Sequence, residues 1–502
     1  MTDNSTLAES TKWRPRIHFT PKKNWMNDPN GLVYLNGKYH LFFQYNPFGS
    51  QWGNMSWGHA ISENLLDWEE VNVALPADPE NLGYIFSGSV VVDKNNTSGF
   101  MKDGIYPLVA IFTHHSKENI QRQSIAYSLD EGLTWQNYIL NPVIDNPGIK
   151  DFRDPKVFWH EESKTWVMVL ACGQFVRIYT SNDLKQWHHA SDFGHDIGSH
   201  TGEWECPDLF PLTTNSGKTK WVMLVSMNPG GPNSGSATQY FVGDFNDGVF
   251  YADNEKVKWL DFGPDNYAGV SFNGLTSQER RVTIGWMSNW SYAAELPTSP
   301  WRGSMAIPRE LTLNSITSPQ ESAETFFVSS LPCRELLAHG KKAHFMAIEQ
   351  FSSFALATDS ACVMKLEGNV RESATIQLTL TNAHGEKVIL RYIPKLQKLI
   401  VDRRKAGFDL KLWTMPLIEA YTLPNMSGTD ATIVLDSASI EVFWHGGSTN
   451  ISAALFPTSP FNHCEIQNDS DDTLECTVYL IKPNSSSLYS QANNDALITG
   501  ES

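Results

Sequence analysis

The chain has 502 residues, 41% of them hydrophobic and 19% charged, an ordinary globular composition with length enough for two domains. A formal net charge of −17 argues against a nucleic-acid partner, which needs clustered Lys and Arg, and against docking on an anionic membrane surface. No apolar run approaches the roughly 18 residues of a membrane span.

The first ten residues are polar and carry no secretory signal core. Nine Asn-x-Ser/Thr triplets (Asn4, Asn54, Asn95, Asn96, Asn289, Asn425, Asn450, Asn468 and Asn484) point toward a secreted mature form, while a cytoplasmic location stays open. The six cysteines are too scattered for a disulfide scaffold and lack C-x-x-C zinc spacing. Cys464 and Cys476 could bridge a hairpin; buried free thiols are the default.

The stretch Asn24-Trp25-Met26-Asn27-Asp28-Pro29-Asn30-Gly31 combines turn residues with an aromatic wall beside one carboxylate. Next, Leu32 to Leu35, Asn36-Gly37 and Tyr39 to Tyr45 spell a β-hairpin. Strand-like runs follow at 106–113, 165–171, 176–180, 220–227, 240–245 and 282–286, with no long helical period among them. Ser62-Glu63-Asn64-Leu65-Leu66-Asp67-Trp68 resembles Ser181-Asn182-Asp183-Leu184-Lys185-Gln186-Trp187, and Ser128 to Trp135 matches both with one insertion. A turn built on Ser and Asx, repeated after successive strands, marks propeller blades of roughly 40–60 residues. About five such units fill the first 310 residues; a long β-sandwich is the competing architecture.

Composition shifts near Pro308, and 313–324 is rich in Ser, Thr, Asn and Gln, while 330–337 reads as a short helix or connector. Alternation returns at 374–380, 387–393, 399–403, 432–444 and 474–481, the pattern of a β-sandwich. The expected organisation is all-β, a propeller over 12–325 and a sandwich over 338–485, with a loose Ser/Asn-rich tail after Pro483.

Three acidic motifs occupy similar stations in the repeat units: Asp28, Asp154 in Phe152-Arg153-Asp154-Pro155-Lys156, and Glu205 in Trp204-Glu205-Cys206-Pro207-Asp208. Equivalent positions of different blades converge on a propeller's axis, so acids far apart in sequence could share a pocket. Retaining glycoside hydrolysis needs one ionised carboxylate as nucleophile and one protonated acid, roughly 5–5.5 Å apart. A third acid can hydrogen-bond sugar hydroxyls, and crowding keeps one acid protonated. The alternative for three carboxylates is a calcium site. The Trp-rich surroundings, 17 Trp in all, favour sugar stacking over that alternative.

These motifs, with FQYNP, WGxxxWGH and FSGS between them, resemble the family-thirty-two glycoside hydrolases: invertases, levanases and inulinases. The similarity runs from about Trp13 to Ile481. It implies a five-bladed β-propeller followed by a β-sandwich, and a retaining β-fructofuranosidase needing no cofactor and no metal. By motif, Asp28 would be the nucleophile, Glu205 the acid and base, and Asp154 the holder of two fructosyl hydroxyls, with Arg153 orienting the carboxylates. Asn27, Gln44, Trp52, Phe86, Ser87 and Trp290 match positions lining the fructose subsite, and Trp25 walls the nucleophile's turn. Cys206 would tune the acid; the His114-His115 and His188-His189 pairs read as surface, and Asp208 fits either the acid cluster or a turn. The partner is a small sugar, sucrose or a fructan end. A fructosyltransferase, a non-catalytic sugar-binding propeller and an inverting pentose glycosidase are the competing readings.

Overall fold

A computed structural model describes residues 12–275, 280–317, 324–408, 415–424, 426, 428–482. The polar N-terminal decapeptide, the triplets at Asn4, Asn425 and Asn484, and the Ser/Asn-rich tail lie outside these residues. The chain is almost entirely β.

Five antiparallel sheets form the blades of a propeller. Their innermost strands are Asn24–Leu35, Tyr84–Val92, Phe152–His160, Glu203–Thr213 and Tyr267–Ser271. The ring closes because Trp301–Arg302, arriving from the fifth blade, pairs in parallel with Asn24 and Trp25 of the first. A twisted four-stranded sheet has apolar side chains on both faces, so each blade must bury itself against two neighbours. The apolar clusters obey this. Val33, Phe42 and Trp57 of blade one pack with Val90 and Phe112 of blade two; Trp25, Met26 and Phe43 pack with Tyr267 and Trp286 of blade five.

The repeated turns share one geometry. Leu65, Gly132 and Leu184 all take the left-handed conformation, at φ 66°, 82° and 64°. The indole Nε1 of Trp68, Trp135 and Trp187 donates to the carbonyl of that residue at 3.0, 3.0 and 3.1 Å. A Ser hydroxyl and an Asx carboxyl or amide satisfy the turn's backbone N–H groups, as Ser181 and Asp183 do for Leu184 and Lys185.

The fifth blade's outer strand, Glu324–Pro332, runs past residue 325 and buries Phe327 and Val328. The helix Arg334–Ala338 leads into two six-stranded sheets that face each other as a β-sandwich. Met364, Leu378, Leu390, Ile433, Val442 and Ile466 fill its core. Cys464 and Cys476 sit on strands belonging to different sheets, and all six thiols are free and buried, so the hairpin bridge does not form. Three glycosylation triplets, at Asn289, Asn450 and Asn468, are buried in the fold.

Ion pairs join the two domains. Arg309 reaches Asp261 and Glu441, Arg403 reaches Asp265, and His18 sits between Asp436 and Glu441 at 2.8 Å from each.

Candidate active site

Each innermost strand carries a β-bulge at the same station. Asn27-Asp28 opposes Gln44, Phe86-Ser87 opposes Thr113, Asp154-Pro155 opposes Leu170, Cys206-Pro207 opposes Val225, and Ala268-Gly269 opposes Gly285. A bulge places two residues against one and re-aims their side chains. Asp154, Cys206 and Ala268, the first bulge residues of blades three to five, have φ of 66°, 45° and 54°. The acids are offset along this shared station: Glu205 precedes its bulge, Asp154 is the first bulge residue, and Asp28 is the second. That stagger lets three carboxylates from different blades approach one another without overlapping.

Contacts between blades hold the trio. Ser87 Oγ donates to Asp28 Oδ2 at 2.6 Å, and Asn27 Nδ2 donates to Oδ1 at 3.0 Å. The Cys206 backbone N–H donates to Asp154 Oδ2 at 3.0 Å, while its Sγ lies 3.6 Å from both Asp28 Oδ2 and Asp154 Oδ2. Arg153 Nη2 is 3.1 Å from Glu205 Oε1, and its Nη1 is anchored on Asp151 at 2.6 Å. Tyr267 OH donates to the other oxygen, Glu205 Oε2.

Burial, with the negative charge of Glu205, pushes the Asp28 carboxyl above its ordinary range. Burial raises Asp154 to about 7; Arg153 opposes the rise, and Glu205 and Asp28 add to it. Arg153 faces Asp151, Asp154 and Glu205, and burial with the charges of Glu205 and Asp28 leaves Asp154 inclined to hold a proton near neutrality. Burial and the surrounding carboxylates push the Cys206 thiol well up, keeping it a protonated donor.

Direct contacts link most of the expected lining residues to the acids or to one another. Trp25 donates from its indole to Asn27 Oδ1 at 2.8 Å and stacks on Trp290 at 6.0 Å. Phe86 stacks on His115 with centroids 4.5 Å apart, and Trp52, 51% exposed at the rim, meets it edge-on. Gln44 is buried behind the first bulge, donating to the Ile85 carbonyl at 3.1 Å.

Two expectations change. His114 is buried and His115 packs against Phe86, so this pair is not surface; it ends a strand whose residues are nearly all enclosed. His188 and His189 are exposed. Asp208 is apart from the trio: buried, it pairs with Lys156 at 3.5 Å and accepts from the Ser271 N–H. Sequence reasoning missed Tyr267 and Thr113, whose Oγ1 accepts from the Asp154 N–H at 3.0 Å. Neither stands in an acid-Pro motif; aligning the bulge stations of all five blades is the signal that finds them.

Donors already face both oxygens of Asp28 and of Glu205, which suits hydrogen-bonding chemistry better than an oxygen cage for calcium. Elsewhere, Glu310, Cys333 and Glu335 cluster with metal-like spacing, but Arg280 pairs with both carboxylates.

Comparison with known proteins agrees with this architecture. The model for the glycosyl hydrolases family 32 N-terminal domain matches residues 18–322, and that for the family 32 C-terminal domain matches 334–479. A levanase of Bacillus subtilis is 46% identical over 464 residues, covering 89% of this chain and 66% of that protein. An extracellular exo-inulinase of Aspergillus niger is 42% identical, covering 90% of this chain and 91% of its own. Among solved structures, an exo-inulinase from Aspergillus awamori superposes with TM-score 0.85 at 39% identity, covering 95% of this chain and 99% of its own. A β-fructofuranosidase from Schwanniomyces occidentalis complexed with fructosyl-erythritol gives 0.86 at 30% identity, covering 96% and 100%.

Proposed function

This chain belongs to glycosyl hydrolase family 32, and on that premise we propose that it is a retaining β-fructofuranosidase releasing terminal fructose from sucrose, levan or inulin. The observation that carries the reading is the meeting of Asp28, Asp154 and Glu205 from three blades, each with a different donor set.

Asp28 is the nucleophile. Its two oxygens are pinned by Asn27 and Ser87, so the carboxylate attacks the anomeric carbon without first reorganising. Glu205 gives its proton to the leaving oxygen, then takes one from the water that breaks the fructosyl-enzyme ester. Asp154 Oδ1 accepts no hydrogen bond from the described residues, leaving it for sugar hydroxyls near the positive charge that develops on the ring. Arg153 orients Glu205. Trp25, Trp52, Phe86 and Trp290 supply apolar ring faces, and Gln44 backs the first bulge. Extracellular relatives support a secreted location, and among the described residues no helix is long and apolar enough to cross a membrane.

The test is a release assay on sucrose, levan and inulin, with products resolved at high sucrose. Free fructose as the main product supports hydrolysis. Mainly oligosaccharide would make the chain a transferase, and no release from any substrate would leave a sugar-binding propeller.

A further inference from the structure

We propose that Tyr267 is a positioning residue for the acid step: its hydroxyl holds Glu205 Oε2 and stabilises the carboxylate left when the proton departs. The proposal rests on reading Glu205 as the acid. Tyr267 stands immediately before the fifth blade's bulge, the one blade that supplies no acid and no other polar side chain at that station. It is 1% exposed, and its hydroxyl is aimed at Glu205. Burial and the charges of Glu205 and Asp28 make its own ionisation very unfavourable, so it stays a donor.

The two oxygens of Glu205 are thus held from opposite sides, Oε1 by Arg153 from blade three and Oε2 by Tyr267 from blade five. Other titratable groups face the same space: Asp28 from blade one, His115 from blade two, Asp151 and Asp154 from blade three, and Cys206 beside Glu205. In the reaction, the Glu205 O–H proton moves to the glycosidic oxygen while the bond from that oxygen to the anomeric carbon breaks, its electron pair staying on oxygen. The new negative charge falls on a carboxylate that Tyr267 already faces. The hydrogen bond is therefore made to the charged form that the step creates.

Tyr267→Phe removes the hydroxyl and conserves the ring's volume. The pH dependence of kcat/KM on sucrose is measured for the wild type, Tyr267→Phe and Glu205→Gln. We expect Tyr267→Phe to lose about ten- to a hundredfold in rate while its alkaline limb moves upward by about one pH unit, the size of a charge-assisted hydrogen bond. A slower enzyme that stays protonated to higher pH is a signature that loss of packing does not give. An alkaline limb that stays put or moves down, with Glu205→Gln inactive, overturns the role of Tyr267 alone. Near-normal turnover by Glu205→Gln overturns the acid assignment, and the proposal falls with it.

Discussion

Ser87 Oγ donates to Asp28 Oδ2 at 2.6 Å, tying the second blade's bulge to the acid on the first. Because the bond crosses a blade boundary, it sets the carboxylate's direction in a way its own strand cannot. Ser87→Ala is expected to lower kcat ten- to a hundredfold, about 1.5–3 kcal/mol for a bond to a charged group, with KM changing less. Steady-state kinetics on sucrose check it; a proportional rise in KM at constant kcat would assign Ser87 to ground-state binding instead.

Asp28→Asn and Glu205→Gln each keep side-chain volume while removing a carboxylate from the trio. Each is expected to reduce turnover by about three or more orders of magnitude while melting cooperatively. Near-normal rates in either variant end that residue's assignment.

The Cys206 thiol is enclosed beside Asp28 and Asp154, where a thiolate would be a further negative charge. With all six cysteines buried, the native enzyme should resist iodoacetamide at pH 8 and react at every cysteine in denaturant. Mass spectrometry of the alkylated protein reads this directly; rapid labelling of Cys206 in the folded state contradicts it.

His18 links the propeller's entry strand region to the sandwich. Burial opposes its charge, but Asp436 and Glu441 outweigh burial and raise it from 6.5 to about 9. Its stabilisation is therefore fully present below pH 6.5 and is lost as pH rises through 9. Glu441 runs the other way: burial opposes it, while Arg309 and His18 hold it at about 2 against 4.5, so its contribution fades only as pH falls below 4.5. His18→Gln should melt well below the wild type at pH 6, with the gap narrowing toward pH 9. A gap independent of pH would mean that packing, not charge, is what His18 supplies.

Arg309 is 2% exposed and lies between Asp261 of the propeller and Glu441 of the sandwich. Arg309→Met leaves the buried Asp261 without its cation and Glu441 with His18 alone, a loss of about 3–5 kcal/mol. Calorimetry should show a markedly lower Tm, and separation of the wild type's melting into two transitions, one per domain, in the variant.

The sequence by itself determined the β content, the propeller's repeat and the three acids. Asn36-Gly37 dictates a hairpin by local backbone preference, and the Ser-Asx-Trp turns recur because each satisfies its own N–H groups within a few residues. Asp28-Pro29 and Asp154-Pro155 were legible for the same reason, since proline acts on its neighbour's backbone, and in Glu205-Cys206-Pro207 the proline stands one residue further on. Only the tertiary structure decided what those acids touch. Ser87, Arg153 and Tyr267 reach them from other blades, across 59, 52 and 62 residues of chain. The bulges that stagger the acids depend on register with a partner strand, and the burial of His114 and of Asp208 depends on which blade packs beside it. Nothing local in the chain encodes such long-range contacts; closure of the ring, with Trp301 pairing beside Asn24, brings them into being.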